Sequence, residues 1–302
     1  MEVGENDVLR ITTSLVRVPV SVRDRRGRYI NDLRKEDFRI YEEGTERQVA
    51  LFGGVEEPVS VVLLIDVSCS VLEPRDTIKA ALAFIDQLRP DDSVLPIAFG
   101  QNIYALLTES TRDRTILRER ILGLPDGKQT PCDRATRLGD AVEFVIDRVL
   151  SQGTGRRAVI LLSDGGDSMI SRQGWGTRTL RAVSELGVPF YSLRLETRWD
   201  QHCGGGVSKL QRPEDVVYAD LGCYIDDLAS LSGGRSFPAR SGEDLKRFFV
   251  QVGEELRHQY MLAYYPDSSK EKSGQHKIKV RVDKKDLRVW ARPSYTYVPP
   301  AR

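Results

Sequence analysis

The sequence predicts an α/β protein: a doubly wound, mostly parallel sheet with helices on both faces, plus a small β module from the N- and C-terminal segments. Three observations predict it. Residues 61–65 (Val-Val-Leu-Leu-Ile) and 158–162 (Ala-Val-Ile-Leu-Leu) are wholly apolar runs, of the length and β-branched content of strands buried on both faces. Around them strand-like and helix-like stretches alternate, the pattern of a parallel sheet with right-handed crossovers. The flanks, residues 7–52 and 258–302, instead show short runs of alternating polarity separated by turns.

The divisions that follow are a β segment over 1–55, an α/β domain over 56–257, and a β segment over 258–302 that packs with the first. Residues 9–24 read as one or two half-buried strands, with Pro19 arguing for an edge or a bulge. Residues 29–33, 38–41 and 48–52 read as further short strands. Strand 59–66 leads into a helix over 75–88, with Ile78, Leu82 and Ile85 on one stripe and Pro90-Asp91-Asp92 as its stop. Strands 93–99 and 103–108 follow as a hairpin, then helices 112–122 and 138–150. Strand 158–163, helix 177–186, strand 189–195, helix 223–231, strand 235–238 and helix 243–257 complete the alternation. Residues 197–221 break the rhythm and read as an insertion. The tail gives strands 258–265, 275–282 and 287–291, expected to join the N-terminal strands in one small sheet.

Bulk properties exclude several classes. Net charge is +1 over 302 residues, so no global field argues for nucleic acid. No apolar stretch approaches the ~20 residues of a membrane helix, and residues 1–7 carry no secretory apolar segment. Arg23, Arg25, Arg26, Arg28, Arg34 and Lys35 cluster locally, as either a solvated turn or a binding patch. Of the four cysteines none forms a C-x-x-C pair, which argues against structural zinc. Cys203 and Cys223 bracket one loop and are candidates for a disulfide. Cys69 and Cys132, on loops expected to meet, either pair or are small buried residues.

The chemistry concentrates where the apolar runs end. Asp66, Ser68 and Ser70 leave the carboxyl end of the first buried strand at alternate positions, the edge where open α/β sheets bind ligands. Taken alone, this is equally a polar turn capping the next helix. Thr136 opens a helix five residues before Ala141, and Asp164-Gly165 ends the second buried strand. Hard oxygen donors at such an edge suit Mg²⁺, Mn²⁺ or Ca²⁺ rather than zinc. Asp167 reads as a loop cap in preference to a second metal acid.

Asp-x-Ser-x-Ser, the helix-opening Thr and the strand-terminal Asp-Gly, in that order, resemble the metal-ion-dependent adhesion site of von Willebrand factor type A domains. The resemblance spans residues 56–257 and assigns Asp66, Ser68, Ser70, Thr136 and Asp164 as metal ligands. It implies that the ion keeps one position open for a Glu or Asp carboxylate of a protein partner, with the helix over 243–257 as the element that can slide on ligation. Residues 38–44, 260–264 and 278–282 resemble the flanks of acidobacterial A-related proteins. That resemblance implies an exported protein, secreted, periplasmic or at the cell surface. Cys69, between the two serines, and the loop 198–221 depart from the pattern.

An enzyme is the weaker expectation. A metal-dependent phosphoesterase-like hydrolase would need a base or nucleophile beside the ion. The three histidines, His202, His258 and His276, lie outside the core loops. No G-x-S-x-G, H-E-x-x-H or phosphate-binding glycine loop occurs, and no G-x-G-x-x-G follows the first strand. A structural A domain with a vestigial site is the remaining alternative.

Overall fold

The computed structural model describes residues 15–69, 74–125, 135–151, 155–167, 175–195, 221–266 and 274–297. Four strands come first: β1 (Val16–Asp24), β2 (Phe38–Glu42), β3 (Thr45–Arg47) and β4 (Leu51–Gly53). The core then runs β5 (Val59–Asp66), α1 (Pro74–Ile85), β6 (Ser93–Phe99), β7 (Ile103–Ala105), α2 (Arg114–Leu122), α3 (Leu138–Phe144), β8 (Arg156–Ser163), α4 (Trp175–Leu186), β9 (Phe190–Leu195), α5 (Leu221–Ser232), β10 (Arg235–Ala239) and α6 (Gly242–Arg257). Strands β11 (Gln259–Tyr264), β12 (Gly274–Val282), β13 (Leu287–Ala291) and β14 (Ser294–Tyr297) follow.

The core sheet has the order β10-β9-β8-β5-β6-β7, parallel throughout except for β7. The fold class is the one the apolar runs indicate. Alternation along β5 explains why its sequence is apolar at every position from Val61 to Ile65. Val61, Leu63 and Ile65 pack with Phe84 of α1, Leu117 of α2 and Phe249 of α6. Val62 and Leu64 pack on the other face with Val142 of α3, Val183 of α4 and Leu228 of α5. Truncating a fully buried leucine such as Leu63 to alanine costs about 2–5 kcal/mol in such a setting.

Helix starts follow their caps. Asp113 accepts from the Thr115 and Ile116 amides at 2.8 and 3.2 Å, so α2 begins at Arg114 rather than 112. Ser241 caps α6 through the Asp244 amide at 3.2 Å. The expected helix 138–150 is one path, α-helical to Phe144 and π-helical over Val145–Leu150.

The flanks interleave. One sheet has the order β13-β1-β11-β4, the other β14-β12-β2-β3. Every pairing in both is antiparallel. They enclose a core of Val18, Val20, Val22, Phe38, Ile40 and Tyr264. The expectation of one sheet is therefore corrected to two sheets, with β3 and β14 the unanticipated strands. Residues 29–33 form no strand beyond one bridge between Arg23 and Tyr29. The Tyr260 phenol takes over there, accepting the Leu33 amide at 3.1 Å and donating to the Ile30 carbonyl at 2.8 Å. Pro19 lies on a strand flanked on both sides. However, the register with β13 begins only at Val20, so Pro19 has a neighbour on one side alone.

The β module sits at the amino ends of the parallel strands. Arg156, opening β8, donates to the Val55 carbonyl at 3.1 Å and the Leu256 carbonyl at 2.5 Å. Gly187, just before β9, has φ +62°, and a Cβ there would lie 2.6 Å from the Arg17 carbonyl oxygen. The β module is thus at the opposite end of the sheet from the carboxyl ends of the strands.

Candidate metal centre

The connection from β5 passes to β6 on one side, while β8 pairs on the other. The crevice between the carboxyl ends of β5 and β8 is thus a topological switch point, where open α/β sheets bind ligands. Asp66 and Ser163 are the last residues of these two strands.

Asp66 is 2% exposed. Its Oδ1 accepts the Ser68 amide at 2.9 Å, and its Oδ2 accepts the Ser163 hydroxyl at 2.7 Å. The Ser163 oxygen in turn accepts the Gly165 amide at 3.0 Å, and Asp164 Oδ1 accepts the Gly166 amide at 2.8 Å. A buried carboxylate and a buried hydroxyl therefore fasten the two strand ends and shape the turn after β8.

Two backbone bonds bring in the third loop. The Val67 amide donates to the Phe99 carbonyl at 2.8 Å, and the Arg137 amide to the Gly100 carbonyl at 3.0 Å. The Thr136 turn is thereby held at the end of β6, beside β5. Asp167 Oδ2 accepts the Gly139 amide at 2.8 Å and closes the ring of loops. Ser68, Thr136, Asp164 and Asp167 are all buried. Of the expected ligands, Asp66, Ser68, Thr136 and Asp164 come to one edge of the sheet. Ser70 lies outside the described residues.

The electrostatics are those of two acids set close together in a desolvated crevice. Burial, and then the nearby charge of Asp164, push the Asp66 carboxyl up to about 7, against the hydrogen bonds from Ser68 and Ser163 that pull it down. Two acids in a desolvated crevice with neutral hydroxyls around them fit a hard divalent cation, which would relieve both effects. Among the described residues no cluster of three or more His, Cys, Asp or Glu forms a metal site of another kind.

Sequence reasoning missed the part played by Ser163. A lone hydroxyl ending a wholly apolar strand was the available signal. For Asp167 the cap is observed. Cys69 is exposed and disulfide-bonded, which excludes the small buried residue; its partner lies outside the described side chains, as do both members of the Cys203 and Cys223 pair. His258 accepts or donates at 2.9 Å to Asn31 and stacks on Tyr29, and His276 stacks on Tyr295, both remote from this edge. His202 and the stretch 197–220 lie outside the described residues.

No curated protein matches the chain. A von Willebrand factor type A structure from Catenulispora acidiphila aligns with a TM-score of 0.51 and 10% identity, over 96% of this chain and 76% of that one. A conserved hypothetical protein, BatB from Bacteroides thetaiotaomicron, aligns with a TM-score of 0.46 and 17% identity, over 65% of this chain and 98% of that one. Proximal thread matrix protein 1 from the mussel byssus, described with a zinc-occupied MIDAS motif, aligns with a TM-score of 0.49 and 15% identity, over 71% of this chain and 49% of that one. Residues 61–166 match the family model of the von Willebrand factor type A domain, and the core of the chain has the fold of that domain.

Proposed function

We propose that the chain is a divalent-metal-dependent protein-binding module of the adhesion type. In this reading the bound ion takes an acidic side chain of a protein partner into its shell. The observation that carries it is the crevice itself, in which Asp66 and Asp164 are buried together at the switch point, close enough for the charge of Asp164 to raise the Asp66 carboxyl. Asp66, Ser68, Ser70, Thr136 and Asp164 would hold Mg²⁺, or Mn²⁺ or Ca²⁺. The ion would supply an electrophilic position that a Glu or Asp carboxylate fills. Fixed hydroxyls and backbone-bonded carboxylates serve binding in this reading, and the chain is not assigned a turnover. The Cys69 disulfide supports an oxidising compartment, that is, a secreted, periplasmic or cell-surface protein. No helix among the described residues is long and apolar enough to cross a membrane.

The test is isothermal titration of Mg²⁺, Mn²⁺ and Ca²⁺ into metal-stripped protein, with Asp66→Ala and Thr136→Ala alongside. Saturable binding lost in both variants, with the fold retained, is the expected result. Absence of binding by the wild type would make the site vestigial. Metal-stimulated hydrolysis of a generic phosphoester, lost in Asp66→Ala, would replace binding by the hydrolase reading.

A further inference from the structure

Strand β12 lies inside the β14-β12-β2-β3 sheet and has two unlike faces. Ile278 and Val280 point into the core of the β module, whereas Gln275, Lys277, Lys279 and Arg281 are exposed on the other face. Same-face side chains on a strand stand roughly 7 Å apart, so the three cations form a straight row. Strand pairing sets Arg39 of β2 opposite Arg281, and Tyr41 opposite Lys279. Like charges facing each other across an antiparallel pair are destabilising.

The carboxylates bordering this face are committed elsewhere. Glu46 and Asp283 both pair with Arg39, at 3.6 and 2.8 Å, and Asp37 pairs with Lys284 at 3.4 Å. Glu43 accepts the Lys277 amide at 2.6 Å, and buried Glu42 is held by Arg47 and Tyr295. Among the described residues none of Lys277, Lys279 and Arg281 has a carboxylate partner. The Arg281 guanidinium lies instead 5.2 Å from the Tyr41 ring centroid. The metal centre uses none of these residues.

We propose that this face binds an acidic polysaccharide, a chain of uronate sugars lying along β12 with its carboxylates over Lys277, Lys279 and Arg281. A linear polyanion answers a linear row of cations. Gln275 and the Tyr41 phenol supply hydrogen-bonding groups for the sugar hydroxyls. An anionic membrane is disfavoured, because none of the exposed large apolar side chains among the described residues lies on this face to enter lipid. Three cations alone contribute only about 3 kcal/mol at such a surface. The oxidising compartment that the Cys69 disulfide supports argues against nucleic acid. An acidic peptide finds no ladder to extend, since β12 already has β14 and β2 as neighbours.

The experiment titrates the full chain, in EDTA and at low salt, with an oligogalacturonate, read by calorimetry. EDTA silences the metal centre, so the outcome is independent of the adhesion-type reading. Saturable binding is expected, weakened about tenfold by Lys279→Glu and further by raising the salt. The triple variant Lys277→Glu, Lys279→Glu, Arg281→Glu should abolish it. Arg288→Glu, which makes the same charge change on β13, should leave it unchanged. Every variant should keep the wild-type melting temperature, since the replaced side chains are exposed. The methyl-esterified oligomer, which keeps its hydroxyls and loses its charge, should not bind. No saturable binding in EDTA overturns the proposal, as does wild-type affinity in the triple variant or an equal loss in Arg288→Glu. Equal binding of polyglutamate of matched charge overturns it in favour of an acidic peptide, and tighter binding to phosphatidylserine vesicles in favour of a membrane surface.

Discussion

Asp167 and Gly139 are joined by a 2.8 Å hydrogen bond, so a carboxylate on the loop after β8 caps a helix at an amide 28 residues earlier in the chain. The N-cap residue of α3, Arg137, makes no side-chain cap of its own. The long-range cap holds the Thr136 turn to the loop carrying Asp164. Asp167→Ala is expected to cost about 1 kcal/mol in urea unfolding, and Asp167→Asn less, because the amide oxygen still accepts. Both should weaken metal binding in proportion to the loss of stability. A large loss of affinity in Asp167→Asn at unchanged stability would make Asp167 a ligand instead.

The raised Asp66 carboxyl predicts how metal-free protein responds to pH. The folded-state value, about 7, lies above the ordinary 3.8. Between those limits the folded state therefore binds more protons than the unfolded one. The contribution of this group is fully present below about pH 4 and is lost as pH rises through about 7. Melting temperatures in EDTA should fall across that window more steeply for wild type than for Asp66→Asn. Saturating Mg²⁺ should remove most of the difference, since the ion favours the charged carboxylate. Identical pH profiles for the two proteins in EDTA would show that Asp66 does not titrate in this range.

The junction between α5 and β10 leaves no room for a side chain. A Cβ on Gly234 would lie 1.9 Å from the Phe190 carbonyl oxygen, which is backbone and cannot swing aside. Gly234→Ala is expected to destabilise by more than about 3 kcal/mol or to prevent folding. Gly54→Ala, where nothing lies within 4 Å of the added carbon, should melt near wild type. The pair is checked by thermal melts of the two purified variants.

Arg292 is 1% exposed, and burial lowers its guanidinium to about 10. It donates to the Ser184 carbonyl in the last turn of α4, but among the described residues its Nε and Nη2 have no acceptor. Losing one hydrogen bond costs about 1 kcal/mol, whereas each buried unsatisfied donor costs about 1–3 kcal/mol. Arg292→Met, which fills similar volume, should therefore raise the melting temperature. Arg292→Ala should lower it through the cavity left behind. A lower melting temperature for the methionine variant would mean that the two donors are satisfied in solution.

The sequence carried the core because burial on both faces leaves no polar alternation: β5 and β8 announce themselves as unbroken apolar runs. It carried two of the site's loops because hydroxyls and carboxylates directly follow those runs, while Thr136, which opens a helix, was assigned through the resemblance. It did not carry the split of the flanks into two sheets, since alternation in β2 or β12 reports one buried face and not which strand lies beside it. Residues 29–33 look like a strand but pass their backbone hydrogen bonds to Tyr260, a partner more than 220 positions away. Ser163 escaped for the same reason, because its partner Asp66 is remote in sequence, and for Asp167 the cap was legible but not its remote partner Gly139.

Strands β4 and β11, which lead into and out of the α/β core, are hydrogen-bonded neighbours, with Gly53 opposite Met261. The core is thus hung as a closed loop from one pair of strands. Tension applied between residues 15 and 297 runs through the sandwich. The backbone of the parallel sheet takes the load only once β4 and β11 part, and before then force reaches the core through the ties from Arg292 and the Thr296 amide to Ser184 of α4.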